Sequence, residues 1–321
     1  MPEMLVPVLL FAVGLVFLIK GGDWFVDGAT GIARRFRWPE LLIGATVVSI
    51  GTTLPEVMVS VTSALSGHGE IAYGNAIGSV ICNTALVAAL TIAIRPGRVK
   101  PRTLRLPVRF FFLAAALYAV LAYAIGSFSR LAGVALLMIF AAYMLATLRQ
   151  MKRSIDDAEE PEEDAPLGKT ILLLVIGAAL IAVGARLLVD NGTLIAKALG
   201  VPESVIALTL VALGTSLPEL VTAITALVKG HSALSLGNII GANLFNLVLV
   251  SGVSVTVAPF SIPQAAVIAG HNASLLLDIP VMFLAMLLLT VPALTRGRLY
   301  RWQGVALLMI YAAFCTVQFL L

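Results

Sequence analysis

Charged residues are scarce in this chain of 321 residues, at 12%, where an ordinary soluble domain has about 25%. Cysteine is scarcer still: Cys82 and Cys315 both lie in apolar runs, which excludes a disulfide framework or a zinc site. Hydrophobic residues make up 60%, and the mean hydropathy is +1.03. The apolar runs match the thickness of a bilayer's hydrocarbon core, so the sequence predicts an integral membrane protein in a lipid bilayer. The net charge of +4 indicates no nucleic-acid partner, since basic loops flank membrane helices anyway.

The apolar runs predict ten transmembrane helices in an all-α fold, because a helix satisfies its backbone hydrogen bonds within lipid. The amino-terminal run lacks the basic segment and cleavage site of a signal peptide, so we expect it to be the first span. The expected spans are 4–33, 39–66, 71–94, 106–125, 129–149, 168–198, 202–229, 234–257, 273–294 and 302–320.

Basic residues are concentrated in alternate loops, after spans 1, 3, 5 and 9. The positive-inside rule therefore predicts a multi-pass protein of the cell membrane with both termini outside and the 150–167 loop in the cytoplasm. That loop carries the acidic run DDAEEPEED, which we interpret as a solvated linker rather than a calcium sensor. It is too short for a folded regulatory domain, and no obligatory protein partner is expected.

An internal repeat is the most informative feature. Residues 39–83 align without a gap with residues 202–246, so that Glu56 matches Glu219. We expect a first five-helix repeat at 1–149 with its motif at 44–83, and a second at 168–321 with its motif at 207–246. An odd number of spans turns the second copy upside down. Two inverted five-helix repeats, with a site near the membrane midplane, are typical of secondary transporters.

The motif itself carries the chemistry. GTTLPE at 51–56 and GTSLPE at 214–219 each place a glutamate inside an apolar span, at a cost of about 2.5 to 3.5 kcal/mol unless a partner neutralises it. Each proline frees the carbonyl of the glycine four residues earlier and permits local unwinding. A mere helix kink would explain proline and glycine, but not the two matched glutamates Glu56 and Glu219.

The partner spans supply neutral oxygen ligands. GNAIGSVICN places Ser79 and Asn83 one helical turn apart, and GNIIGANLFN does the same for Ala242 and Asn246. An all-oxygen set of carboxylates, carboxamides, hydroxyls and carbonyls suits a hard cation, and Ca²⁺ takes six to eight such ligands more readily than Mg²⁺ does.

The doubled motif, each copy followed by GNxIG and an asparagine, resembles the two α-repeats of the Na⁺/Ca²⁺ exchangers in the cation/Ca²⁺ exchanger superfamily, prokaryotic type. The resemblance covers the whole ten-span plan. It implies that Glu56 and Glu219 are the central Ca²⁺ ligands. The further residues it implies are Thr52, Thr215, Ser49 and Ala212 through backbone carbonyls, Thr53, Ser216 and Ser79 at Na⁺ positions, and Asn83 and Asn246 at the centre.

Two residues depart from the pattern of prokaryotic relatives, which often have a serine four residues before an acidic residue in the second repeat. Here Ala242 lacks that hydroxyl, which affects one Na⁺ position. Asn246 leaves two formal charges at the centre rather than three, and resembles the K⁺-independent branch.

The charge of the site frames the expected mechanism. One Ca²⁺, two Na⁺ or two protons would each neutralise Glu56 and Glu219, while a third Na⁺ would make transport voltage-sensitive. We expect Na⁺ and Ca²⁺ to be cargo, with H⁺ as a further candidate because burial disfavours ionised carboxylates, and no cofactor. Spans 1 and 6 are expected to slide as gating helices. They carry the matched acids Asp27 and Asp190, which are weaker site candidates.

Three alternatives remain at this point. A Ca²⁺/H⁺ antiporter on the same fold would be driven by a pH gradient. An intramembrane hydrolase could use the two glutamates as a dyad, but the sequence has no GxGD segment or Ser/His pair, and we expect no enzyme. A channel would need no inverted repeat.

Overall fold

Helices account for nearly all of the residues that the computed structural model describes, which are 2–155, 166–200, 214–264, 266–268 and 270–320. Within these ranges, nine helices are long and apolar enough to cross a membrane and one further apolar helix is shorter. In chain order they are α1 (Pro2–Arg35), α2 (Glu40–Leu65), α3 (Gly69–Ile94), α4 (Pro101–Ile125), α5 (Arg130–Ile155), α6 (Leu167–Ala198), α7 (Leu217–Val228), α8 (Ser232–Val257), α9 (Ser274–Arg296) and α10 (Arg301–Leu320).

The helices follow the expected spans closely, and the expected all-α fold is confirmed. Two helices are longer than hydropathy indicates: α4 begins at Pro101 rather than 106, and α5 ends at Ile155 rather than 149. Both extensions are basic turns that hydropathy excludes but that remain helical, and Pro101 suits a first helical turn. The expected span 202–229 and the acidic linker lie partly outside the described residues.

Within the described ranges, four two-residue strands lie in loops between helices. Ser127–Phe128 (β1) pairs antiparallel with Phe260–Ser261 (β2), and Val267–Ile268 (β3) with His271–Asn272 (β4). The first pair joins the α4–α5 and α8–α9 connections, and the second lies within the α8–α9 connection, at the end of the bundle that the charge pattern predicts to be outside.

The helices that carry the motifs form the centre of the bundle. The most apolar windows of α2, α3 and α8 are 56%, 72% and 83% buried, whereas those of α1 and α6 are 17% and 22% buried. The polar motif side chains are therefore enclosed by protein, and α1 and α6 present most of their surface to the surroundings of the protein.

Helices α1 and α6 pack closely against each other along matched glycines. A Cβ on Gly14 would lie 2.9 Å from the carbonyl oxygen of Gly184, and a Cβ on Gly21 would lie 2.9 Å from that of Gly177. This order of contacts makes the two helices antiparallel. Small residues allow such backbone contact in membranes, so α1 and α6 form a two-helix unit beside the central helices.

Candidate functional site

The two motif glutamates are fully buried. Glu56 lies inside α2 and Glu219 in the first turn of α7, and both side chains have 0% exposure. Both oxygens of the Glu56 carboxylate, and Oε2 of Glu219, have no hydrogen-bond partner among the described residues. Oε1 of Glu219 accepts a 3.5 Å hydrogen bond from Thr53 Oγ1. Because Thr53, three residues before Glu56, contacts Glu219, the two carboxylates lie in the same part of the interior, and a cation would offset their mutual repulsion.

The backbone around the two prolines differs. Helix α2 continues without a break from Ser49 to Leu65 with Pro55 inside it. In the second motif, Thr215 and Ser216 form a turn, and α7 starts with Pro218 in its first turn. The unwinding that the sequence predicts is therefore found in the second motif, whereas in the first the missing N–H of one proline does not interrupt the helix.

Two threonines tie the motifs of the two halves together. Thr52 donates to Oδ1 of Asn238 at 3.2 Å, and the matched Thr215 donates to Oδ1 of Asn75 at 3.3 Å. Ser49 Oγ also lies 2.9 Å from the carbonyl oxygen of Asn238. These hydrogen bonds hold Thr52 and Thr215 at matched positions in the two halves.

Asn83 and Asn246 supply the carboxamides. Both side chains are fully buried, and neither the oxygen nor the nitrogen of either amide has a partner among the described residues. Each asparagine begins a widened π-helical turn, at 83–88 in α3 and at 246–250 in α8. Such turns are frequent at functional sites because they redirect side chains and loosen the helical hydrogen-bond ladder.

The expected hydroxyl residues are also buried, Thr53 in α2, Ser79 in α3 and Ser216 in the turn before α7. Thr53 is 0% exposed, Ser216 is 2% exposed with an unpartnered Oγ, and Ser79 is 4% exposed. Ala242 is fully buried and offers no side-chain oxygen. Ala212 lies outside the described residues, so its expected role is a prediction only.

The matched acids of α1 and α6 form ion pairs away from the two glutamates. Asp27 forms an ion pair of 2.7 Å with Lys229, and Asp190 pairs with Arg186 on its own helix at 3.5 Å. Both carboxylates are about half exposed or more, at 51% and 64%. The structure therefore gives Asp27 and Asp190 basic partners and does not bring them to the buried glutamates.

A narrow cavity of about 10 Å³ lies between the α1–α6 unit and the motifs. Phe25 of α1 and Ile181 of α6 line one side, and Thr52, Pro55 and Pro218 line the other. This volume holds about one water-sized sphere, so the approach from α1 and α6 to the motifs is nearly closed.

The donor set suits hard cations. Among the described residues, no group of three or more His, Cys, Asp or Glu side chains could hold a metal ion, and the buried acidic side chains are Glu56 and Glu219. Buried, unpartnered carboxylate and amide oxygens are costly unless a cation binds them. Oxygen donors with flexible backbone favour Ca²⁺ and Na⁺ over softer metals.

Several contacts were not predicted from the sequence. Asn75 and Asn238 were aligned in the repeat, and their shared GN pattern is the signal that could have assigned them a role. Lys229 has no basic match in the first repeat, where Ser66 stands instead, and the glycine spacing shared by α1 and α6 was available in the sequence.

The sequence matches the sodium/calcium exchanger protein family over residues 6–149 and 169–320. It is 30% identical to the sodium/calcium exchanger MaX1 of Methanosarcina acetivorans, over 97% of this chain and 98% of that one. It is 37% identical to the inner membrane protein YrbG of Escherichia coli, over 86% and 87% of the two chains.

A solved structure of the sodium-calcium exchanger NCX_Mj, soaked with Na⁺ and Sr²⁺, has the same fold. The TM-score is 0.81 at 34% identity, over 97% of this chain and 98% of that chain. The family match covers both halves of the bundle and both motifs. This chain therefore belongs to the sodium/calcium exchanger family of membrane ion antiporters.

Proposed function

We propose that this protein exchanges Na⁺ for Ca²⁺ across the cell membrane by alternating access to one central site. The observation that carries the proposal is the pair Glu56 and Glu219, fully buried with three of four carboxylate oxygens unpartnered among the described residues. Intramembrane carboxylates of this kind mark ion pathways. MaX1 and NCX_Mj, whose names describe sodium/calcium exchange, support the choice of cargo.

The proposed ligands follow from the arrangement of oxygens. Glu56 and Glu219 bind Ca²⁺, with Asn83 and Asn246 completing the centre. Backbone carbonyls from Thr52, Thr215, Ser49 and Ala212 contribute further oxygens, and Thr53, Ser216 and Ser79 supply hydroxyls to Na⁺. Since two Na⁺ carry the charge of one Ca²⁺, the two cargoes compete for overlapping ligands.

The architecture we propose for this exchange is a pair of inverted repeats, 1–149 and 168–321, joined by a cytoplasmic linker with both termini outside. Reciprocal contacts support it: Thr52 bonds to Asn238, and the matched Thr215 bonds to Asn75. The glycine contacts between α1 and α6 are reciprocal in the same way. Repeats related by such an axis place one site within reach of both membrane sides.

The gating element is then the α1–α6 unit. It packs beside the motifs across the narrow cavity and is far less buried than the central helices. A slide of this unit along α2 and α7 would open the site to one side while closing it to the other. The central helices carry the ligands and stay in place.

A Ca²⁺/H⁺ antiporter is the second candidate. The observation that favours it is the same carboxylate pair, because burial favours the protonated form and two protons would neutralise both groups. The two candidate functions differ only in the ion whose gradient drives calcium transport, Na⁺ or H⁺.

The discriminating experiment uses purified protein in sealed liposomes and measures uptake of radioactive calcium. We expect an outward Na⁺ gradient at equal pH to drive uptake, and monensin to abolish it by collapsing the gradient. A pH gradient of matched size without Na⁺ should drive little. Uptake driven by the pH gradient alone would establish the Ca²⁺/H⁺ antiporter instead, and calcium flux without any counter-ion would contradict both.

A further inference from the structure

A second cavity, of about 330 Å³, lies at one end of the helix bundle. Its walls come from the beginning of α2, the end of α3, the beginning of α8 and the loop between α3 and α4. None of the proposed cation ligands lines it. This end of the bundle carries most of the basic loops, and the positive-inside rule predicts that it faces the cytoplasm.

The cavity is positively charged. Arg95, Arg98 and Lys100 line it, and Glu40 is its only acidic lining residue among those described. The Glu40 carboxylate already contacts His231 Nδ1 at 2.8 Å. Arg98 and Lys100 have no acidic partner in the described part of the chain, and Arg95 makes one long contact of 3.4 Å with the carbonyl oxygen of Leu227. A metal cation would be repelled here, whereas an anion would be attracted.

The basic loop is held in place by a second loop. Val99 donates its backbone N–H to the carbonyl oxygen of Gly297, and Leu299 donates to that of Gly97, both at 2.9 Å. Arg98 forms an antiparallel bridge with Arg298. The backbone that presents Arg98 and Lys100 is therefore fixed, which lowers the entropy cost of binding a ligand between them.

A buried hydroxyl also lines this cavity. Ser235, in the first turn of α8, is 2% exposed, and its Oγ has no hydrogen-bond partner in the described part of the chain. By contrast, Thr91 and Thr103 donate to the backbone carbonyls of Ala88 and Lys100, three residues earlier in the chain. An unsatisfied donor enclosed in protein is unfavourable unless a ligand accepts its hydrogen bond.

We propose that this cavity binds a phosphate-bearing anion. Arg95, Arg98 and Lys100 neutralise its charge, and Ser235 donates a hydrogen bond to it. Arginine pairs with phosphate oxygens through two parallel hydrogen bonds, and lysine through its point charge. The volume falls within the range of small-molecule sites, roughly 300–1,000 Å³, and exceeds what a lone phosphate fills. The anion is either an anionic lipid headgroup at the membrane surface or a soluble organic phosphate.

Such a ligand would act on the exchanger through its helix ends. The cavity joins Leu41 of α2 to Leu236 of α8, and these helices lead directly into the two motifs. A bound anion would stabilise the arrangement of α2 against α8 in the described conformation. Binding itself does not depend on which cations are exchanged, so it can be tested apart from transport.

The test measures thermal unfolding of the full-length protein in neutral detergent, at fixed Na⁺ and without Ca²⁺. The probes are dihexanoyl phosphatidylglycerol and glycerol 3-phosphate, with dihexanoyl phosphatidylcholine as the zwitterionic reference. We expect saturable stabilisation by phosphatidylglycerol, by glycerol 3-phosphate or by both, and none by phosphatidylcholine. Stabilisation by phosphatidylglycerol alone identifies the lipid source, and equal stabilisation by glycerol 3-phosphate identifies the phosphate itself.

Two variants locate the binding. The double change Arg98→Gln/Lys100→Gln should raise the half-saturating concentration roughly tenfold or more, because two charged contacts are lost. Ala233→Phe keeps every charge but fills the cavity, and should weaken binding as strongly. The matched control Arg296→Gln/Arg298→Gln removes the same charge from two neighbouring arginines that do not line the cavity, and should change binding little.

Three results would overturn the proposal. One is the lack of saturable stabilisation by either phosphate probe. Another is equal weakening by the control double variant, which would indicate diffuse attraction to a basic surface. The third is normal binding in Ala233→Phe, which also decides the question if the first double variant does not fold.

Discussion

The two motif regions, 44–83 and 207–246, share the glycine, proline, glutamate and asparagine residues of the motif but make different polar contacts. In the first, the amide nitrogen of Asn75 donates to Ser60 Oγ at 2.8 Å and to the carbonyl oxygen of Glu56 at 3.2 Å. In the second, the matched nitrogen of Asn238 has no partner among the described residues, and Ala223 stands where the repeat would place a second Ser60. The backbone next to Glu56 is thus held by a side chain, and the structure gives Glu219 no equivalent contact.

The same contrast extends to the gating helices. Asp27 of α1 is joined to Lys229 at the end of α7, while the matched Asp190 of α6 pairs only with Arg186 of its own helix. One end of the gating unit is therefore fastened to a motif helix, and the other end lacks that ion pair. If the two halves were equal, the conformations open to each side of the membrane would be equally stable. The different contacts of the two halves should therefore stabilise one conformation over the other.

The largest expected effect comes from Glu56→Gln and Glu219→Gln, which test whether the two halves contribute equally to the site. Each change removes one of two carboxylates, and we expect sodium-driven calcium uptake to fall roughly a hundredfold, since about 3 kcal/mol is lost with a charged ligand. The measurement is the initial rate of calcium uptake into liposomes.

Glu70→Gln is the matched control for this pair, because Glu70 is exposed at the start of α3. It should exchange normally. Full uptake by either Glu56→Gln or Glu219→Gln would contradict the central site. A strong loss in both variants that is clearly larger in one of them would show that the two halves are unequal in chemistry as well as in contacts.

The second largest effect is expected from changes at Ser79 and at the matched Ala242, which lacks the hydroxyl. Ser79→Ala should raise the half-saturating Na⁺ concentration about tenfold, because one neutral ligand worth roughly 1–1.5 kcal/mol is lost. Ala242→Ser places a hydroxyl at the matched position and should lower the half-saturating Na⁺ concentration. The measurement is the transient current on adding Na⁺ to protein adsorbed on a solid-supported membrane.

Ala242→Cys is the control for the added volume, since sulfur is a poor ligand for a hard cation. We expect it not to improve Na⁺ affinity. If the cysteine variant improved it as much as serine does, packing rather than ligation would explain the change. An equal effect of Ser79→Ala on Ca²⁺ affinity would contradict the assignment of Ser79 to Na⁺.

The fold was predictable from the sequence because few backbone structures are stable in a lipid bilayer. Hydropathy placed α6 at 168–198, and the helix spans Leu167–Ala198. The errors fell where helices continue beyond the apolar run, as in the basic turn that begins at Pro101. Hydropathy measures the preference for lipid and not for helix, so such turns are missed.

The site was predictable only in part, for a physical reason. Repetition and burial in an apolar span were enough to select Glu56 and Glu219. The hydrogen bonds of Asn75 and Asn238 connect one half to the other. The sequence does not show how one helix is rotated about its axis relative to its neighbour, so these contacts could not be predicted. For the same reason the ion pair of Lys229 with Asp27 was not predicted, because the two residues are far apart in the chain and Lys229 has no basic match in the first repeat.

The smallest expected effect tests whether the ion pair at α7 favours one conformation. Lys229→Met removes the bonds to Asp27 and Asp23, while Arg186→Met removes a pair within one helix. These groups are partly exposed, so the pair is worth about 1 kcal/mol or less, and the balance between conformations should shift by roughly fivefold at most.

The shift can be read from Ala178→Cys, which lines the narrow cavity beside α1, in a background with Cys82 and Cys315 changed to alanine. A membrane-impermeant thiol reagent is applied from each side of the liposome. Lys229→Met should change the ratio of the two labelling rates, by less at high salt because ions screen exposed charges. Arg186→Met should leave the ratio unchanged. An equal change in both variants would mean that the pairing across helices does not distinguish the two halves, and their different contacts would then have no effect on gating.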